Sequence, residues 1–229
     1  MNFLKAKNTY KKEAKVQEFM ANELCLELLN LKRKHFRKVF EFGCARAELS
    51  QKLEKIISFD KYIKNDILDY GVDFEVEIFD MNQIASHSLS EQKFDLIISN
   101  ATLQWLDLKL ILPTLDKMLD EKGILLLSTF GKKNLEQISQ STGFSLKYYG
   151  VLELEQIFKK YFINVKIKEE FKTLEFKTPL EVFKHLKLSG VNSLGYHFLG
   201  KKFLKEFEQK FHNRLTYHPI FILCKKDIK

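Results

Sequence analysis

The residues best suited to chemistry in this chain follow short apolar runs. Glu41-Phe42-Gly43-Cys44-Ala45-Arg46-Ala47 comes after Lys38-Val39-Phe40, and Asp60 comes after Ile56-Ile57-Ser58-Phe59. Asp80-Met81 closes the run from Phe74 to Phe79, and Asn100 closes the run from Phe94 to Ser99. A glycine after the first run lets the backbone approach a ligand closely. An acid about 20 residues beyond Glu41, here Asp60, is suitably spaced to take two ribose hydroxyls. Asp80 can accept a hydrogen bond from an exocyclic amine such as that of adenine. Taken singly, each acid would also suit a turn or a helix cap. In this order they outline a nucleoside-binding edge.

Side chains so far apart in sequence meet only if the runs before them are neighbouring strands. The pattern predicts strands at 38–43, 55–60, 74–79, 94–100 and 124–130, with helices at 45–53 and 106–119 between them. Phe94 to Ser99 is nearly continuously apolar, as a strand buried on both faces should be. Strands alternating with helices imply an α/β fold with a parallel, doubly wound sheet. Ligands of such sheets bind beyond the carboxyl ends of the strands. Apolar residues at helical spacing predict an amphipathic N-terminal helix over 9–33. Further helices are expected near 133–141, 152–160, 179–188 and 201–211, and strands at 163–171 and 216–224. With 229 residues and no linker-like stretch, the chain reads as one domain.

Composition excludes several classes. No apolar run approaches the roughly 18–20 residues of a membrane span, and the basic N-terminus lacks the apolar stretch of a secretory signal. Cys25, Cys44 and Cys224 are widely spaced, which fits no disulfide framework or zinc knuckle and suits reduced cytoplasm. No HExxH and no His/Asp/Ser constellation is present. His35, His87, His185, His197 and His212 read as surface residues and His218 as structural. The net charge of +8 is uneven: +6 over 1–40, −7 over 41–130, +4 over 131–200 and +5 over 201–229. A basic shell on an acidic middle suits a large anionic partner, or simply solvated lysines.

The first motif resembles that of the class I S-adenosylmethionine-dependent methyltransferases, acid-x-Gly-x-Gly-x-Gly, with Ala45 and Ala47 replacing the second and third glycines. Four segments together resemble the malonyl-acyl-carrier-protein O-methyltransferase family of biotin synthesis. They are Phe94-Asp95-Leu96-Ile97-Ile98-Ser99-Asn100-Ala101-Thr102-Leu103-Gln104-Trp105, Phe3 to Ala14 with Tyr10, Leu186-Lys187-Leu188-Ser189-Gly190, and Leu215-Thr216-Tyr217-His218. The resemblance runs from about residue 3 to 226.

It implies a Rossmann-like fold with a mostly parallel seven-stranded sheet and helices on both faces. An N-terminal helical lid (1–37), a cofactor-binding core (38–130), substrate-side insertions (131–214) and a last strand (215–229) would make up a single domain. S-adenosylmethionine is the implied cofactor, touching Tyr10, Glu41, Gly43, Cys44, Asp60, Asp80, Met81, Asn100, Ala101 and Gln104. The implied substrate is the malonyl carboxylate on acyl carrier protein, an acidic partner, with no nucleic acid and no membrane involved. That carboxylate is already ionised at pH 7, so no acid or base catalyst is required. The expected positioning residues are Tyr10, Arg214 and Tyr217. The substrate is expected to meet Trp105, Lys187, Arg214 and Tyr217, with Lys184 behind them. Arg214 leads because arginine suits bidentate carboxylate binding. Lys132, Lys133, Lys184, Lys187, Lys201, Lys202 and Lys205 are expected to steer the carrier protein. A methyltransferase of a free small carboxylic acid, a non-catalytic binding module and an RNA methyltransferase are the competing readings.

Overall fold

A computed structural model describes residues 14–189 and 199–226. The chain runs α1 (Lys15–Leu29), β1 (His35–Phe42), α2 (Glu48–Leu53), β2 (Ser58–Asp66), β3 (Glu77–Ile78), β4 (Phe94–Ser99), α3 (Leu108–Met118) and β5 (Leu119–Phe130). It continues through α4 (Glu136–Thr142), α5 (Val151–Phe158), β6 (Asn164–Glu169), β7 (Lys172–Glu175), α6 (Pro179–Leu188), α7 (Lys201–Phe211), β8 (Arg214–Tyr217) and β9 (Pro219–Lys225). Seven strands form one sheet in the order β3-β2-β1-β4-β5-β9-β6, and β7 pairs with β8 in a small second sheet. The pairs from β3 through β5 are parallel, whereas β9 is antiparallel to both β5 and β6. This is the mostly parallel, doubly wound arrangement that the strand–helix alternation implied.

The apolar alternation of the central strands explains the layering. Leu96, Ile98, Ile124, Leu126, Phe221 and Leu223 face one side, where they pack with Met20, Leu24 and Leu28 of α1. Ile97, Leu125, Leu127, Ile220 and Ile222 face the other side, packing with Ile111, Leu112 and Leu115 of α3. Both faces are covered, so these strands lack the polar alternation of a half-exposed sheet. At the amino ends of the strands, buried Asp95 accepts hydrogen bonds from the Arg37 backbone N–H at 2.6 Å and the Arg37 guanidinium at 3.1 Å. Arg33 lies 2.9 Å from the same carboxylate. This cluster staples β1 to β4 at the end opposite the strand-end acids.

Four elements differ from the sequence expectation. The second strand does not end at Asp60; it runs on to Asp66. Toward the sheet edge its only neighbour is the two-residue β3, so six of its nine residues are exposed or partly exposed and Lys61 and Lys64 resemble loop residues. The expected strand over 74–79 shrinks to β3 for the same edge reason. The strand expected over 163–171 stops at Glu169, and β7 follows as a separate strand. The expected last strand is two strands in different sheets, parted at His218 before Pro219, whose ring nitrogen has no hydrogen to donate.

Candidate functional site

Strand register brings the chemistry together. Phe42 pairs with Asn65 across β1 and β2, and Glu41 pairs with Ile98 across β1 and β4. The carboxyl ends of β1, β2 and β4 therefore finish at one level, as a ligand site in an open parallel sheet requires. Two clefts open there. One, of about 270 Å³, is lined by Gly43, Ala45, Arg46, Asn65, Asp66, Tyr70, Asp80, Met81, Asn100, Ala101, Thr102 and Trp105, among others. The second, of about 310 Å³, lies between α1 and α2 and is lined by Gln17, Glu18, Glu41, Gly43, Cys44, Ala45, Glu48, Lys52, Asn100 and Ala101, among others. Gly43, Ala45, Asn100 and Ala101 line both, so the clefts are two arms of one site.

The turn after β1 divides the arms. Gly43, Ala45 and Ala47 all have positive φ, at 68°, 47° and 61°. A Cβ on Gly43 would meet the Thr102 hydroxyl oxygen at 2.1 Å, so only glycine fits beneath that side chain. Alanine at the other two positions carries the steric cost of the left-handed region, which glycine avoids. Buried Asp66 braces the turn: Oδ2 accepts from Ala45 N–H at 2.9 Å and Oδ1 from Leu68 N–H at 3.0 Å. Burial raises the Asp66 carboxyl pKa, and the Leu68 and Ala45 N–H groups oppose that rise.

On the second arm, Glu41 is buried and accepts hydrogen bonds from the Ser50 and Tyr62 hydroxyls, the latter at 2.6 Å. Burial pushes its carboxyl up to about 7, with both hydroxyls and Lys64 pulling the other way. Cys44 is buried beside it, and burial drives its thiol far above the ordinary range. It packs as a thiol rather than serving as a nucleophile. The far wall hangs on Asn100. Its Nδ2 donates to the Gln17 carbonyl at 3.0 Å, and its Oδ1 accepts from the Ser128 hydroxyl at 2.7 Å. The Ser128 oxygen in turn accepts from Ala101 N–H at 3.0 Å. Gln104 sits behind this wall, donating to the Ala101 carbonyl at 2.5 Å and accepting from Thr129 at 3.1 Å. Asp80 caps a 3-10 turn by accepting from Asn82 N–H at 2.9 Å.

The site therefore gathers Glu41, Gly43, Cys44, Asp80, Met81, Asn100, Ala101 and Trp105. Tyr10 lies outside the described residues. Asp60 is not there: it sits mid-strand on β2, with an exposed side chain 3.4 Å from His35. The acid at the end of β2 is Asp66, which the edge-strand pattern concealed. Asn65, Arg46, Tyr70 and Thr102 were also missed. A signal existed for Asp66 in the β-forming residues Tyr62-Ile63 that extend the strand past Asp60.

The expected anion-binding residues are elsewhere. Arg214 is exposed and pairs with Glu175 at 2.8 Å across the small sheet. Tyr217 is buried, its hydroxyl 2.9 Å from His185 Nε2. His185 is thus a core residue, not a surface one. Lys184 and Lys187 are exposed on α6. None of these four side chains lines either arm. His218 is buried, with Nδ1 accepting from Lys133 N–H at 3.2 Å and Nε2 lying 2.6 Å from Glu169. Since Nδ1 accepts, Nε2 carries the proton and donates it to Glu169.

The donor set suits an elongated ligand with a nucleoside at one end and a cationic amine at the other. Asp66 and Asp80 offer acceptors on the first arm, and Glu18, Glu41 and Glu48 on the second. Two buried polar atoms of the first arm, Arg46 Nε and Asn65 Oδ1, have no hydrogen-bond partner among the described residues. Buried polar groups are normally satisfied, so these two point to a ligand that completes them. S-adenosylmethionine has the matching shape and charges. Among the described residues no cluster of His, Cys, Asp or Glu could hold a metal ion.

No protein-family model matches the chain. Among solved structures, the YcgJ protein from Bacillus subtilis superposes with a TM-score of 0.63 at 10% identity, covering 91% of this chain and 99% of that one. A SAM-dependent methyltransferase from Archaeoglobus fulgidus superposes with a TM-score of 0.61 at 15% identity, over 99% and 100% of the two chains. At such identities these likenesses show the fold. Sequence relatives are closer. The malonyl-acyl-carrier-protein O-methyltransferase of Calditerrivibrio nitroreducens is 32% identical over 99% of this chain and 95% of its own length. That of Haemophilus influenzae is 32% identical over 97% and 92%. Near-complete coverage at this identity, on a sheet whose strand ends build a two-armed cleft, settles the family: the chain belongs to the malonyl-acyl-carrier-protein O-methyltransferases.

Proposed function

We propose that the protein transfers a methyl group from S-adenosylmethionine to the free carboxylate of a malonyl group carried on acyl carrier protein. The observation that carries this reading is the two-armed cleft in a chain of this family: Asp66 and Asp80 on one arm, Glu41 on the other, Gly43 and Asn100 at the junction. The cofactor supplies a methyl group on a positively charged sulfur. Asp66 and Asp80 accept hydrogen bonds from its ribose and adenine, and the acidic second arm holds its amine. Thr102 and Trp105 line the first arm, and a ligand enclosed by such side chains would be held in place and partly shielded from water. The acceptor carboxylate is ionised at neutral pH, so the residues bind and orient and need not move a proton.

The carrier protein docks on exposed lysines. The helices α6 and α7 are held together by Phe183, whose ring lies 5.6 Å from Phe203 and 5.2 Å from Phe207. Outside this contact they present Lys184, Lys187, Lys201, Lys202 and Lys205 to solvent. Such a surface steers an acidic partner. The chain works as one catalytic domain in the cytoplasm, in keeping with Cys25, Cys44 and Cys224, which are free and buried. No helix among the described residues is long and apolar enough to cross a membrane.

The test has two arms. Calorimetry with S-adenosylhomocysteine measures cofactor binding. Methyl-ester formation is then compared between malonyl-carrier protein and free malonate. Binding without preference for the carrier-linked substrate would redirect the activity to free acids, and absence of binding would remove the activity altogether.

A further inference from the structure

Arg46 occupies an unusual place. It lies between Ala45 and Ala47, whose φ angles of 47° and 61° turn the backbone sharply on either side of it. Its side chain lines the first arm, beside the loop that follows β2, and does not line the second. Among the described residues no other cation lines that arm. Its Nε is buried without a hydrogen-bond partner, and it forms no ion pair with any described carboxylate. Its charge is close enough to act on the Tyr70 phenol. A guanidinium with a buried, unsatisfied N–H, facing a cleft, lacks an acceptor that the protein itself does not provide.

The position within the site decides the kind of acceptor. The arm that holds Arg46 also holds Asp66 and Asp80, which suit hydroxyl and amine donors. The acids suited to a ligand's ammonium group line the other arm. Arg46 therefore faces the part of the ligand that carries ring nitrogens, ribose oxygens and a flat face. A guanidinium can donate to the first two and stack on the third.

We propose that Arg46 is a cofactor-binding residue that holds the nucleoside end of the cofactor, supplementing a turn in which alanines stand at two of the three glycine positions. This rests on the S-adenosylmethionine reading above and assigns a side-chain contact to the residue that stands between the second and third glycine positions of the motif. Arg46→Met keeps most of the apolar stem and removes every N–H. Arg46→Lys keeps the charge and removes the planar fork.

The experiment titrates wild type, R46M and R46K with two probes by calorimetry. S-adenosylhomocysteine carries both ends of the cofactor, and 5′-methylthioadenosine carries the nucleoside and sulfur without the amino acid. In R46M both probes should weaken about ten-fold or more and by similar factors, with R46K between R46M and wild type. Unchanged binding of both probes in R46M would overturn the assignment. So would a loss confined to S-adenosylhomocysteine, which would place the guanidinium on the carboxylate of the amino-acid end. Thermal unfolding shows whether R46M keeps the fold; if it does not, Arg46→Gln replaces it with the same expected outcome. Wild type binding neither probe would defeat the cofactor reading itself. Wild type binding both, with the variants unchanged, would defeat only the role of Arg46.

Discussion

Asp66 and Ala45 are joined by a 2.9 Å hydrogen bond from backbone N–H to carboxylate, so the end of β2 braces the turn that ends β1. One side chain thus serves the shape of the turn and the lining of the cleft together.

Replacing that carboxylate should cost binding. Asp66→Ala is expected to weaken S-adenosylhomocysteine by about 1.5–3 kcal/mol, the scale of hydrogen bonds to a charged group. Asp60→Ala, on the exposed middle of β2, should leave the affinity at the wild-type value. Calorimetry on the two variants side by side checks this, and the reverse ranking would return the ribose contact to Asp60.

The turn stores strain that glycine would release. Ala45→Gly should raise stability by about 0.5 kcal/mol, because relief of the left-handed alanine exceeds the added freedom of the unfolded chain. Gly43→Ala should lower it by about 2 kcal/mol or more, since its Cβ would collide with Thr102 at a φ of 68°. Urea unfolding reads both; a Gly43→Ala protein as stable as wild type would show that the Thr102 contact yields freely.

The Glu41 carboxyl titrates near 7 when folded because it is buried, against an ordinary value of 4.5. Between those values the folded chain binds a proton that the unfolded chain does not. The Glu41 contribution to stability is therefore full below about 4.5 and is lost as pH rises through 7. Glu41→Gln should flatten that part of the stability–pH curve. A cationic amine bound beside Glu41 favours the ionised form, so S-adenosylhomocysteine affinity should fall as pH drops through 7. A Glu41→Gln curve parallel to wild type would remove the residue from both effects.

The docking lysines predict a charge effect confined to the carrier-linked substrate. Reversing Lys201, Lys202 and Lys205 to Glu should lower kcat/KM for malonyl-carrier protein about ten-fold or more at low salt and leave S-adenosylhomocysteine affinity unchanged. The wild-type rate should fall as salt rises through the physiological range, where exposed charges are screened over about 8–10 Å. A rate flat in salt would show that α7 takes no part in recognition.

The sequence was most legible where both faces of a strand are covered. Phe94 to Ser99 announces β4 because neither face needs a polar residue, and Asn100 follows directly. β2 was hard to read because water reaches six of its nine residues, so Lys61, Lys64 and Asn65 disguised a strand and Asp60 took the place of Asp66. Tyr217 was placed by its motif, and Arg214 by its guanidinium chemistry and its place just before that motif. Pairing of β7 with β8 sets Arg214 against Glu175, and packing of α6 sets Tyr217 against His185, partners too far away in sequence for any local pattern to show. Arg46 was passed over because the glycine motif draws attention to its neighbours.

His218 alone separates β8 from β9, and it is clamped on both sides. Its N–H donates to Asn134 at 3.2 Å, and its carbonyl accepts from Gly131 N–H at 2.8 Å, where β5 ends. The helices α6 and α7 both grow out of the small sheet, one after β7 and the other before β8. A partner pressing on their lysines therefore loads a bracket bolted to the central sheet, not a door on a hinge. A push there would meet, one residue beyond β8, the end of β5, which lies beside the strand whose tip carries Asn100.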